Sequence, residues 1–146
     1  SKKQYKDVSE YVKSIDSSKT IHIGETGWAT VSNGFYGANG SRATDQYKQG
    51  LYYNKLREWT NQEGISCFYF EAFDEQWKDA QNSNGSENHF GLFTKKGAAK
   101  FPIWNLVDQG VFNGLSRNGH PITKTYDGDY EFLMEDVLVP NTDYNR

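Results

Sequence analysis

Apolar residues near the start of the chain recur in a helical rhythm. Tyr5, Val8, Val12 and Ile15 are spaced by three, four and three residues, which predicts an amphipathic helix from about Lys3 to Ile15 with a polar stop at Asp16-Ser17-Ser18. The rhythm then changes to period two. Ile21 and Ile23 share one side of a pleat in a strand expected over Lys19 to Gly24, so Glu25 would emerge at its carboxyl end. Thr44 or Asp45 can cap a second helix carrying Tyr47, Leu51, Tyr52, Leu56 and Trp59, ended near Asn61 to Gly64. Ile65 to Phe73 is nearly all apolar or aromatic, as expected of a parallel strand covered on both faces, and Asp74, Glu75 and Lys78 crowd its exit. A third helix is expected from about Lys96 to Gln109, with Ala99, Ile103, Leu106 and Val107 inward and Pro102 in or just ahead of its first turn.

Helix, strand, helix, strand, helix is the order of an α/β fold with right-handed crossovers and a parallel sheet. Two core strands leave both sheet edges open, however, in a chain of 146 residues. A (β/α)₈ barrel takes about 250 residues, so the expectation is roughly the last quarter or third of one. The remainder would be a missing segment, a separate chain or a second copy. Residues 1–110 form the expected barrel portion. Residues 111–146 change character: Asn118-Gly119 and Asp127-Gly128 suggest tight hairpin turns between short extended runs, giving a β-rich appendage or a linker.

Composition narrows the partners. A formal charge of −3 and a pI near 5.6 argue against nucleic acid, whose binding is dominated by cationic contacts to phosphate. No apolar run approaches the roughly 20 residues of a membrane helix, and no signal peptide is visible, although a chain that starts mid-fold would have lost one. Ten Tyr, nine Phe and four Trp supply rings suited to stacking on sugar faces, with most of them expected in the core. Cys67, the single cysteine, cannot form an internal disulfide and reads as a small buried hydrophobe within the second strand. His22, His89 and His120 lack metal-like spacing, so neither metal nor cofactor is expected.

Three motifs in order carry a specific resemblance. They are Ile23-Gly24-Glu25-Thr26-Gly27-Trp28, Phe70-Glu71-Ala72-Phe73-Asp74-Glu75-Gln76-Trp77-Lys78, and Glu87-Asn88-His89-Phe90-Gly91-Leu92-Phe93. Over roughly residues 20–110 the chain resembles the C-terminal portion of glycoside hydrolase family 17, the β-1,3-glucanase and glucan transglycosylase family. The resemblance implies a (β/α)₈ barrel, with Glu25 at the end of the seventh strand as nucleophile. Glu75 and Lys78 match the acidic and basic pair after strand eight, and Glu87 the glutamate before the His-Phe-Gly-Leu-Phe run. It further implies a β-1,3-glucan such as laminarin as substrate and an extracellular, periplasmic or cell-surface setting. Ala29 departs from the family's proline after the tryptophan, and the loop from Asp79 to Ser86 is longer than in the plant enzymes.

A retaining glycosidase also needs a second carboxyl group about 5 Å from the nucleophile. The family places that acid in an Asn-Glu pair at the end of strand four, and no such pair serves here, so the general acid is expected outside this chain. Lys78 near Glu25 would favour the ionised carboxylate, and Glu75 could hold the lysine; the plain alternative for Glu75, Lys78 and Glu87 is a solvated loop ion pair. Trp28 and Trp77 either stack on a glucosyl ring or pack under the loops. Phe35 and Tyr36, in the Gly-flanked loop from Ser32 to Ser41, are candidate platform residues. Hydrolysis and transglycosylation share the same glycosyl-enzyme intermediate, and a glucan-binding or assembly role without catalysis is the alternative from another class.

Overall fold

Helix α1 spans Lys2–Ile15 in a computed structural model that describes residues 1–32 and 42–139. Its anchor is Tyr5, whose hydroxyl donates to the Ile21 carbonyl at 3.3 Å and whose ring meets Trp59 edge-on at 5.6 Å. Val8, Tyr11 and Ile15 on the same helix stay exposed. Phe35 and Tyr36 lie outside the described residues.

Two short strands, β1 (Ile23–Thr26) and β2 (Cys67–Tyr69), pair in parallel with Ile23 opposite Cys67 and Thr26 opposite Tyr69. The first strand therefore sits later than its apolar pattern suggested, and Glu25 lies within it instead of beyond it. The ladder decides this: it opens with the Ile23 N–H on the Ser66 carbonyl at 2.9 Å and closes with the Phe70 N–H on the Thr26 carbonyl at 2.7 Å. The second strand is also shorter than expected, because the chain changes neighbour after Tyr69. Glu71 N–H donates to the Phe90 carbonyl at 3.2 Å, Leu92 N–H to Glu71 at 2.9 Å and Phe93 N–H to Ala72 at 2.8 Å. The apolar run from 65 to 73 thus serves two different neighbours in succession.

The expectation of two covered faces on β2 is corrected. Cys67 and Tyr69 face helix α2 (Gln46–Glu63), where the Tyr69 ring meets Tyr53 at 5.1 Å. Phe68, pointing to the opposite face by strand alternation, is 65% exposed. Cys67 is only half-buried, and that burial pushes its thiol pKa up.

Helix α2 keeps its predicted punctuation. Asp45 accepts from the Lys48 N–H at the N-terminus, and Gly64 closes the C-terminus in the left-handed conformation. Its first half meets a 3₁₀ turn at Phe101–Ile103, with Gly50 against the Phe101 ring and Tyr47 stacked on Phe101 at 6.0 Å, while Leu56 in its second half borders Tyr5 and Ile23. The third helix is much shorter than its sequence pattern: α3 covers only Trp104–Asp108, after that 3₁₀ turn with Pro102 at its start. Gly97, at φ +94°, breaks the helical path, and Ala99 bridges Phe93 and Lys124 instead of occupying a helix.

Beyond α3, strands β3 (Ser116–Arg117) and β4 (His120–Pro121) form a hairpin about Asn118-Gly119, both at positive φ. Asp127-Gly128 makes no second hairpin. These residues lead into helix α4 (Tyr130–Glu135), capped by the Asp129 side chain and held by Leu133, which is buried. The segment is tied back by Thr125 Oγ1, which donates to Gln46 Oε1 at 2.7 Å and accepts from Trp104 Nε1 at 3.2 Å.

Candidate active site

Two of the three glycines in the motifs, Gly27 and Gly91, mark where the motif backbones touch. A Cβ on Gly27 would collide with the Phe70 carbonyl, and one on Gly91 would collide with the backbone of Phe73 and Asp74. Only glycine lets the exits of β1 and β2 and the 90–93 segment run this close. Glu25 lies within β1, and Glu71 lies two residues beyond β2.

The exit of β2 gathers charge. Lys78 Nζ bonds Glu71 Oε2 at 2.6 Å and Glu75 Oε2 at 3.1 Å, and rests 4.0 Å from the centre of the Phe70 ring. The predicted Lys78–Glu75 pair is present, but the closer partner is Glu71, which sequence reasoning did not select. Desolvation raises the Glu71 pKa, and Lys78 only partly offsets it. Burial alone would lower the Lys78 pKa, yet its hydrogen bonds to Glu71 and Glu75 outweigh that and raise it. The hydrogen bond from Lys78 lowers the Glu75 pKa. The Phe70–Glu71 peptide bond is cis. Glu71 Oε1 is buried and has no partner among the described residues.

Glu25 is exposed at the edge of a cavity of about 320 Å³ bordered also by Tyr5, Ile23, Thr26 and Leu56. Among the described residues it makes no ion pair, so Lys78 is committed to Glu71 and Glu75 rather than to Glu25. Its neighbour Thr26 is fixed by a hydrogen bond to the Tyr52 hydroxyl. A separate cavity of about 580 Å³ lies between α1 and the end of α2, lined by Lys2, Lys6, Lys13 and Trp59, and none of the motif carboxylates borders it.

Glu87 sits exposed on a 3₁₀ turn at Ser86–Asn88. The long loop before it is closed by its neighbour Asn88, wholly buried, whose amide donates to the Asp79 and Asn82 carbonyls at 2.8 and 3.0 Å and whose oxygen accepts from Asp79 N–H at 2.8 Å. Asn88 thus fixes the loop at the position next to Glu87. The two tryptophans differ. Trp28 donates to the Ala43 carbonyl at 2.9 Å and packs on Tyr52 at 5.2 Å, the packing arrangement, whereas Trp77 is 72% exposed beside Lys78.

Beneath these groups lies a second charged pair that sequence reasoning missed. Lys100 and Asp74 side chains are 2% and 8% exposed and bonded at 2.7 Å. Desolvation lowers the Lys100 pKa against the opposing pull of Asp74. Its only trace in the sequence is a lysine between Ala99 and Phe101-Pro102, inside the stretch expected to be helical.

With this geometry in place, comparison with known proteins is informative. The family model of glycosyl hydrolases family 17 matches residues 13–104, a span that includes all three motifs. A glucan 1,3-beta-glucosidase of Arthroderma benhamiae is 39% identical over 92 residues, covering 58% of this chain and 28% of that protein. One of Saccharomyces cerevisiae is 31% identical over 107 residues, covering 68% and 32%. A solved structure of an endo-laminarinase from Formosa superposes with a TM-score of 0.88 at 63% identity, covering 94% of this chain and 35% of that one. The chain thus spans about a third of the length of the proteins it matches.

Proposed function

The chain belongs to glycosyl hydrolases family 17, and from that premise we propose that it carries the nucleophile side of a retaining β-1,3-glucan hydrolase, with laminarin-like polysaccharide as substrate. Glu25 attacks the anomeric carbon as the glycosidic C–O bond breaks and a second carboxyl group protonates the leaving oxygen. Water, deprotonated by that second group, then displaces Glu25 and restores the starting configuration. The observation that carries this reading is the position of Glu25: exposed, in the second half of a parallel strand, inside the span matched to the family. An exposed carboxylate there is open to an approaching sugar.

Residues 1–110 act as the C-terminal part of a (β/α)₈ barrel, and residues 111–146 as an addition to it. Support comes from the parallel β1–β2 pair, the open face at Phe68 and the superposition on about a third of a laminarinase. The general acid is assigned to the rest of the barrel, on a further segment or a second chain. Among the described carboxylates, Glu71 and Glu75 are committed to Lys78 and Asp74 to Lys100. Glu75 and Lys78 support the site, Glu87 and Trp77 border the glucan, and Trp28 holds the loop after β1. Phe35 and Tyr36 remain proposed platform residues. The setting is extracellular or at the cell surface, where such a polymer is met.

The test is laminarin turnover by the complete barrel with Glu25→Ala. Activity falls by at least about 1,000-fold, while laminarin still binds; unchanged turnover would remove Glu25 from the reaction. Chromatography of the wild-type products distinguishes the outcomes. Shorter oligosaccharides fit hydrolysis, products longer than the substrate indicate transglycosylation, and binding without turnover marks a non-catalytic glucan-binding protein.

A further inference from the structure

Three loops that carry proposed site residues meet at one buried ammonium. Lys100 Nζ donates to Asp74 Oδ1 at 2.7 Å, Thr30 Oγ1 at 2.8 Å and the His89 carbonyl at 3.4 Å. Thr30 follows Glu25 on the loop after β1, Asp74 directly precedes Glu75, and His89 lies two residues beyond Glu87. The loops are also bonded to each other at this point: Gly91 N–H donates to Asp74 Oδ1 at 2.9 Å and Thr30 N–H to the His89 carbonyl at 3.0 Å. Lys100 is itself fixed, its N–H on the Leu92 carbonyl at 2.8 Å.

An ammonium has three donors, and here each finds an acceptor from a different loop. In a site this dry, those bonds are stiff and directional in a way that an apolar side chain of equal volume is not. Surface exposure would explain none of this, because neither side chain of the pair reaches water to any extent. We infer that Lys100 is a positioning residue of the hydrolase, with Asp74 as its counter-ion: it sets the spacing between Glu25, the Lys78–Glu75 pair and Glu87. The inference rests on the reading of Glu25 as nucleophile.

The experiment compares Lys100→Met, Asp74→Asn, the double variant and Glu25→Gln in the complete barrel, measuring kcat and KM on laminarin, thermal stability and amide hydrogen exchange. Lys100→Met lowers kcat about 100-fold with KM little changed, as displaced reacting groups do. The Thr30 and Gly91 amides exchange at least about ten-fold faster while α2 keeps its protection. The double variant, which strands no charge, recovers thermal stability but not kcat, and it decides the matter if Lys100→Met alone does not fold. Recovery of kcat together with stability in the double variant would reduce the pair to a structural one. Unchanged exchange at Thr30 and Gly91, or an equal loss throughout α2, would overturn the inference as well. Full turnover by Glu25→Gln would sink the nucleophile reading, while the exchange and the kcat of the double variant would still judge Lys100.

Discussion

Lys78 and Lys100 stand at the two ends of the same loop system and solve the same electrostatic problem differently. Lys78 is 15% exposed at the exit of β2 and shared between two carboxylates. Lys100 is 2% exposed beneath the loops, with one carboxylate and two neutral oxygens. The first arrangement places two carboxylates on one ammonium, and Glu71 Oε1 has no partner among the described residues. The second is electrically closed and can only hold geometry. Depth in the fold, not residue type, separates the two lysines: one keeps some contact with solvent and the other is enclosed.

The sharpest way to break this contrast is to remove the buried counter-ion. Asp74→Ala strands the Lys100 ammonium and is expected to cost about 3–5 kcal/mol in denaturant unfolding, whereas Glu75→Ala costs a small fraction of that because Lys78 keeps Glu71. Equal losses for the two variants would erase the distinction. Next comes Glu71→Gln, which removes the closer partner of Lys78. Its kcat/KM on laminarin is expected to fall roughly ten-fold through misplacement of Lys78, and an unchanged value would return the cluster to an ordinary loop ion pair.

A pH series sharpens the picture further. The Lys78 pKa is raised above the ordinary 10.5 on folding, so the folded state holds the proton more tightly than the unfolded chain. The stability it contributes is full below pH 10.5 and is lost as pH rises through the raised value. Melting temperatures measured from pH 9 upward should show this alkaline loss in the wild type and less of it in Lys78→Met; parallel curves would mean that Lys78 is not held as described. The smallest effect belongs to a third pair, Lys3–Asp7 on α1, bonded at 2.6 Å with side chains 88% and 55% exposed. Lys3→Ala should change stability by less than about 0.5 kcal/mol, setting the surface end of the scale.

The sequence made the Lys78 region legible and hid the Lys100 region for physical reasons. Caps and periodicity are local, so α1 and α2 were readable from Tyr5, Val12, Asp45 and Gly64. Motif spacing singles out Glu25, Glu75, Lys78 and Glu87 in the sequence, and of the pairings expected among them the structure shows Lys78 with Glu75. Glu71 lies inside both a motif and the apolar run from 65 to 73, and nothing local reports that the chain changes neighbour after Tyr69. Lys100 falls inside the stretch expected to be helical, where nothing local marks it as buried. Its partners Thr30 and Asp74 are 70 and 26 positions away, and only tertiary packing brings them together. The helix expected from Lys96 failed for a similar reason, because Ala99 is claimed by the bridge to Phe93 and Lys124.

The most direct test of the account is to trap the intermediate. The complete barrel is incubated with a 2-fluoro β-1,3-linked glucosyl inactivator, and the protein is then weighed intact and mapped by peptide mass spectrometry. A single added sugar on the peptide bearing Glu25 is the predicted result. An adduct on Glu71, Glu75 or Glu87, or turnover of laminarin by an enzyme that never takes up the label, would contradict it.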